Sequence, residues 1–225
     1  MISREALENE LTAQITAALK ADIDKRGRAS LLVSGGSTPK GLFERLSRAD
    51  LDWSNVVVSL VDERYVPDGH ADQNGGMVKE LLLKDKASKA KFIPLVQDSE
   101  DIERNLRLSK QAVEELPRPF TVVLLGMGGD GHTASLFPES PQLDDGMDVQ
   151  NERVLMITDP VTAQHRRITF TRRALLDASH LILHCYGSDK KSILDEAMEL
   201  ELYRPYPIQG FLHQKQAPIE IHWTE

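Results

Sequence analysis

Cysteine is nearly missing from this chain. Cys185 is the only one, so no internal disulfide can form and the fold must be held by packing. It lies in the apolar run LILHCYG, the setting of a buried structural thiol rather than a nucleophile. Basic charge is scarce as well: 27 Lys and Arg against 35 Asp and Glu leave a net charge of -8 and a pI near 5.4. A general nucleic-acid binder would carry a basic face, so no nucleic-acid partner is expected. Uninterrupted apolar runs stay well short of the roughly 20 residues that span a bilayer, and no membrane partner is expected either. The N-terminal stretch MISREALENELTAQITAALK carries acidic groups early and lacks an apolar signal core, which places the protein in the cytoplasm without a cleaved leader. Repeats, low-complexity segments and linkers are absent, and 225 residues suffice for one hydrophobic core. A single domain over 1–225 is expected, its oligomeric state open with a monomer favoured.

What the chain does have is a steady alternation of strand-like and helix-like segments. Ala6, Leu7, Leu11, Ile15, Ala18 and Leu19 recur at helical spacing and predict an amphipathic helix from residue 3 to about 26. Short apolar runs predict strands over 30–33, 56–61, 92–96, 120–125, 152–157, 166–171, 180–186 and 217–223. Helices are expected at Pro39, over 75–83 and 101–116, and after Gly187, with a solvated turn over 84–91 and a polar surface loop after Pro138. The alternation implies an α/β protein: a three-layer, Rossmann-like fold around a mostly parallel central sheet.

The most informative stretch is FTVVLLGMGGDGHTASLFP, residues 120–138. A β-branched run typical of a strand buried on both faces ends in Gly126, Gly128, Gly129 and Gly131. These glycines deliver Asp130 and His132 to the strand's carboxyl end, where open α/β sheets bind ligands. An imidazole accepts protons near neutrality, so His132 is a candidate general base, although a lone loop histidine is commonly a surface residue. Gly126, Gly128 and Gly131 also match GxGxxG literally. The dinucleotide fingerprint needs an immediate helix and an acidic residue closing the next strand, and neither is expected here.

Three other strand ends carry polar groups. Ser34 to Thr38, with Gly35, Gly36 and Ser37 between them, precede Pro39 and a helix, either an anion site or a plain turn capped by Thr38. Asp62 and Arg64 follow the second strand, as a functional pair or a simple salt bridge, with Asn74 in the loop beyond. His70 beside Asp68 and Asp72 suggests a metal site, but no second His or Cys stands at ligand spacing, and it reads as exposed loop. Lys190 opens a helix, where a bound anion would offset its opposition to the dipole. In RRITFT, Arg167 alternates with Ile168 and Phe170 and so points away from the core, as a surface arginine would. His222 and Trp223 read as terminal packing. Corners that share one rim would combine four weak signals into one site.

In order and spacing, SGGSTP, VDERYVP, LGMGGDGHTASLFP, RITFT and GSDKKSIL resemble the 6-phosphogluconolactonase family over nearly the whole chain. The resemblance implies hydrolysis of 6-phospho-D-glucono-1,5-lactone to 6-phosphogluconate in the pentose phosphate pathway, without metal or other cofactor, the partner being the small sugar-phosphate lactone. It makes His132 the base for water, oriented by Asp130 or nearby backbone groups, with Arg64 or loop N–H groups at the developing oxyanion. The phosphate would lie on Gly35, Gly36, Ser37 and Thr38, with Arg167 and Lys190 neutralising it; Lys190 rather than Lys191 fits the family's GxxK spacing. Asp62, Asn74 and Gly128 complete the implied binding set. Related glucosamine-6-phosphate deaminases read DGHxAFNEP, and this chain has Phe137 where they place the ring-opening glutamate. A deaminase or a sugar-phosphate-binding regulator are the alternatives, the latter without any helix-turn-helix extension in view. Gln73-Asn74 stands where many lactonases have Ser-Asn, which removes a hydroxyl contact and keeps the asparagine.

Overall fold

The computed structural model describes residues 2–199 and 204–225. Its strands are β1 (Ala29–Val33), β2 (Val56–Leu60), β3 (Asp62–Arg64), β4 (Lys91–Ile93), β5 (Phe120–Leu125), β6 (Leu155–Thr158), β7 (Arg167–Phe170), β8 (Ala178–Tyr186) and β9 (Ile219–Thr224). Its helices are α1 (Arg4–Arg26), α2 (Lys40–Leu46), α3 (Asn74–Leu81), α4 (Ile102–Val113), α5 (Leu143–Met147), α6 (Arg172–Leu175), α7 (Ser188–Glu199) and α8 (Gln209–Leu212).

Every residue of β1, β2 and β5 is buried, as β-branched runs covered on both faces should be. They form the middle of a six-stranded sheet in the order β4–β2–β1–β5–β8–β9, with each neighbouring pair parallel. The expected edge strand (92–96) and closing strand (217–223) are the two edges, β4 and β9. Helix α1 starts where the Ser3 hydroxyl accepts the Ala6 N–H at 3.2 Å and stops at Gly27, whose φ of 75° closes the last turn. Its stripe of Leu7, Leu11, Ile15 and Leu19 is buried and the helix packs on α2, β1, β5 and β9. Each such side chain contributes about 1.5–3 kcal/mol by leaving water.

From β1 the chain builds one half of the sheet through β2 and β4, and the other half through β5, β8 and β9. The direction of winding therefore reverses between β1 and β5, leaving a crevice at their carboxyl ends. No helix follows β5 directly, since α5 begins only at Leu143. The literal GxGxxG is thus not a dinucleotide fingerprint.

A second, antiparallel sheet in the order β3–β7–β6 was not foreseen from the strand pattern. The expected strand over 56–61 ends at Leu60, and Val61 links it to the second sheet. Its N–H donates to the Val33 carbonyl and its own carbonyl accepts from Phe170, each at 3.0 Å. Beyond this residue β3 leaves the parallel sheet and carries Asp62 and Arg64 over the crevice.

Candidate active site

The carboxyl ends of β1, β5 and β8 together with β3 and β7 enclose a cavity of about 350 Å³. It holds Arg64, Arg167 and Lys190 against a single carboxylate, Asp62, in a chain whose overall charge is negative. Gly35 to Thr38, Asn74, Gly128 and His132 also line it, and Asp130 stands beside His132. Residues from all four corners thus converge on one mouth.

The loop after β5 is held by its own hydrogen bonds. Gly128 N–H donates to the His132 carbonyl at 2.8 Å, and the Thr133 hydroxyl donates to the Gly126 carbonyl at 2.8 Å. Asp130 Oδ1 accepts the His132 N–H at 3.1 Å and lies 2.5 Å from Nδ1 of the same ring. Burial opposes ionisation of Asp130, but its hydrogen bonds to His132 and the nearby imidazole outweigh it, and the carboxyl sits below its ordinary value. An ionised Asp130 makes Nδ1 the protonated nitrogen and leaves the lone pair on Nε2. Gly128 is required here, because a Cβ would fall 2.1 Å from Nδ1 of His132. Phe137 stacks on the other side of the imidazole, with centroids 4.1 Å apart and planes at 28°.

Arg167 is not a surface arginine. It is 6% exposed, and its Nε and Nη1 are buried with no hydrogen-bond partner. Burial, then the charge of Arg64, hold its pKa below the usual arginine value. The alternation in RRITFT correctly sets it opposite Ile168 and Phe170, but that face is roofed by the cavity wall instead of water. Its Cζ lies 5.9 Å from the Phe137 centroid, so the guanidinium and the imidazole both neighbour the same phenyl ring. Lys190 is half-buried, donates to the Met127 carbonyl, and has a lowered pKa, chiefly from desolvation. The backbone N–H groups and hydroxyls of Gly35 to Thr38 have no acceptor among the described residues. Helix α2 starts only at Lys40 and Thr38 does not cap it; Pro39 holds the cap position. The loop itself therefore supplies the donors.

Asp62 and Arg64 form no salt bridge. Asp62 accepts the Ser135 hydroxyl at 2.5 Å, whereas Arg64 Nη1 donates to the Asp72 carbonyl at 2.6 Å. Between them Glu63 points the opposite way and is buried. Its Oε1 accepts the N–H of Arg64 at 2.7 Å and of Asn74 at 2.8 Å, and its Oε2 that of Gly75 at 2.7 Å. Burial raises its pKa to about 7 despite these donors. Glu63 thus ties β3 to the start of α3. Asn74 in turn donates from Nδ2 to the Asp62 carbonyl at 3.1 Å, and Gln73 takes the Gly69 N–H on its Oε1 at 3.0 Å.

Glu63, Ser135 and His184 were not singled out from sequence. A charged residue alternating with Asp62 and Arg64 on a strand must face the protein, which is the signal Glu63 carried. Ser135 and His184 carried none. His184 lines the cavity with both ring nitrogens unpartnered, and burial, then His222, lower its pKa to about 4. Cys185 next to it is buried with its thiol pushed up to about 11, as an inert structural cysteine should be. Among the described residues, no helix is long and apolar enough to cross a membrane.

The family model described as glucosamine-6-phosphate isomerases/6-phosphogluconolactonase matches residues 2–223. The chain is 42% identical to the 6-phosphogluconolactonase of Pseudomonas aeruginosa, covering 95% of this chain and 88% of that protein. It is also 42% identical to that of Rhizobium meliloti, over 98% and 93%. A crystal structure of a 6-phosphogluconolactonase from Shewanella baltica superposes with a TM-score of 0.96 at 38% identity, over 100% and 96% of the two chains. With the sheet order, the crevice and these matches in agreement, the chain belongs to the glucosamine-6-phosphate isomerase/6-phosphogluconolactonase family.

Proposed function

We propose that this protein hydrolyses 6-phospho-D-glucono-1,5-lactone to 6-phosphogluconate, the lactone-opening step of the pentose phosphate pathway. The observation that carries the reading is that one cavity is lined both by an imidazole, His132, and by a buried guanidinium, Arg167, whose Nε and Nη1 have no partner. Their centres can be no further apart than the 4.1 Å and 5.9 Å legs through Phe137 together, a span that a phosphorylated six-carbon acid bridges.

A lactone is an activated ester, so water attacks it once a base takes its proton. His132 Nε2 removes that proton as the water oxygen bonds to the carbonyl carbon, and the imidazolium is stabilised by Asp130. Arg64 or the loop N–H groups meet the negative charge on the carbonyl oxygen, where one such donor is typically worth ~3 kcal/mol. The tetrahedral intermediate then expels the ring oxygen, which takes the proton from His132. The phosphate lies on Gly35, Gly36, Ser37 and Thr38, neutralised by Arg167 and Lys190. Asp62, fixed by Ser135, and Asn74 face the sugar hydroxyls.

Phe137 bears on the deaminase alternative. A phenyl ring carries no protons, so the ring-opening step that the deaminases' glutamate assists has no donor here. The deciding experiment assays freshly prepared phosphogluconolactone and glucosamine 6-phosphate side by side. Rapid turnover of the lactone with none of the amino sugar is expected; turnover of the amino sugar alone would make the protein a deaminase, and of neither, a binding module.

A further inference from the structure

Outside the catalytic cavity, the fold joins residues that the sequence keeps apart. His70 and Asp72 lie in the loop between β3 and α3, and His165 precedes β7. Nε2 of His165 lies 2.9 Å from Oδ2 of Asp72, across 93 residues of chain. Nδ1 of His70 is 3.8 Å from the same oxygen. One ligating atom from each of the three falls within 4.8 Å of the others, and among the described residues no other three His, Cys, Asp or Glu side chains meet in this way. The expectation that His70 had no second histidine to work with is therefore corrected by the fold.

We propose that His70, Asp72 and His165 bind a divalent cation of the Zn²⁺ class at the lip of the active site. Two imidazoles and a carboxylate are the donors that such borderline ions prefer, whereas Mg²⁺ and Ca²⁺ favour oxygen-only sets. Around a tetrahedral ion with bonds of about 2.0–2.1 Å the ligand atoms stand roughly 3.3 Å apart, and the 2.9 and 3.8 Å spans bracket that edge. Nδ1 of His70 now accepts the Asp72 N–H at 3.1 Å, so ligation exchanges one N–H contact for the metal. Solvent reaches the cluster and supplies the remaining ligands. Asp72 contributes the carboxylate, through the Oδ2 that both imidazoles approach. The nearest opposing charge is Arg64, which bonds the Asp72 carbonyl and not its carboxylate. Asp68, the other acid of this loop, is taken up by Lys79 at 3.7 Å.

The site has a route to the active centre. Arg64 lines both the catalytic cavity and the adjoining groove that holds His70 and Asp72. An ion here would clamp the two loops together and fix the carbonyl that orients Arg64. It takes no part in the water attack at His132.

The test uses chelator-stripped, untagged full-length protein. Titration with Co²⁺, followed by visible absorption, should show one equivalent with the intense bands of four- or five-coordinate cobalt, and Zn²⁺ should bind competitively and raise Tm. His70→Ala, Asp72→Asn and His165→Ala should each weaken binding by more than about tenfold and abolish the Tm rise, while His222→Ala keeps both. Because the three side chains are accessible to solvent, the stripped variants should melt close to the stripped wild type. The assignment is overturned if Co²⁺ gives only the pale spectrum of a hydrated ion, or if binding survives all three substitutions. None of these readouts depends on turnover.

Discussion

Arg64 on β3 and Arg167 on β7 are direct partners across the antiparallel pair. Like charges opposed in this way destabilise a sheet, and burial of Arg167 sharpens the cost. A phosphate dianion bound by Arg167 would offset that repulsion. Arg167→Met, which keeps the length and removes the charge, should therefore raise Tm without ligand and lessen the thermal protection given by inorganic phosphate. Charge-assisted hydrogen bonds are worth about 1.5–3 kcal/mol, so KM should rise roughly 10- to 100-fold with little change in kcat. A fall in kcat alone would move Arg167 to the carbonyl end.

The Asp130–His132 contact predicts a different kinetic pattern. His132→Ala should lower kcat by about 10²-fold or more and leave affinity for 6-phosphogluconate nearly unchanged. Asp130→Asn keeps the shape but no longer favours the tautomer with its lone pair on Nε2, so kcat should again fall while KM holds. Initial rates with fresh lactone, corrected for spontaneous opening, check both, and normal turnover in His132→Ala would remove the imidazole from the mechanism.

Legibility in the sequence followed locality. VVVSL and FTVVLL read as buried strands because their composition alone demands it, and the GDGH loop read as a site because glycine and histidine sit side by side. Arg167 read as exposed because alternation assigns a face and not what covers it; the cover is the cavity at the strand ends, walled by distant segments. The second sheet was invisible for the same reason, since Val61 serves two sheets through hydrogen bonds to Val33 and Phe170. His165 could be linked to Asp72 only once both loops were placed.

Glu63 makes stability depend on pH in a defined direction. Its folded pKa of about 7 lies above the ordinary 4.5, so the folded state holds the proton more tightly than the unfolded one. Stability attributable to Glu63 is therefore present below pH 4.5 and is lost as pH rises toward 7, by about 3 kcal/mol in all. Glu63→Gln cannot titrate, and the wild-type-minus-variant difference in unfolding free energy isolates the effect from the other acids and histidines. Denaturant titrations at intervals across that window should show the difference falling with pH; a flat or rising difference would mean that the three N–H donors outweigh burial.

Gly35 tests how closely the loop after β1 and Asn74, the proposed phosphate- and sugar-facing groups, are joined. A Cβ at this position would fall 1.9 Å from Oδ1 of Asn74 and 2.2 Å from its Cγ, far inside contact, so alanine must displace the asparagine. That displacement breaks the hydrogen bond from Asn74 to the Asp62 carbonyl, which spans from α3 to β3. Gly35 itself is not among the positive-φ residues, so the substitution should fold. Gly35→Ala should then lower kcat/KM by about tenfold, because the displaced Asn74 no longer presents its amide to the cavity. Gly36→Ala is the control: at Gly36 the added Cβ meets nothing within 4 Å, but φ is 87°, so its penalty arises from the backbone and should lower Tm as well. Activity lost in Gly35→Ala out of proportion to its fall in Tm, compared with Gly36→Ala, distinguishes the displaced side chain from a distorted loop.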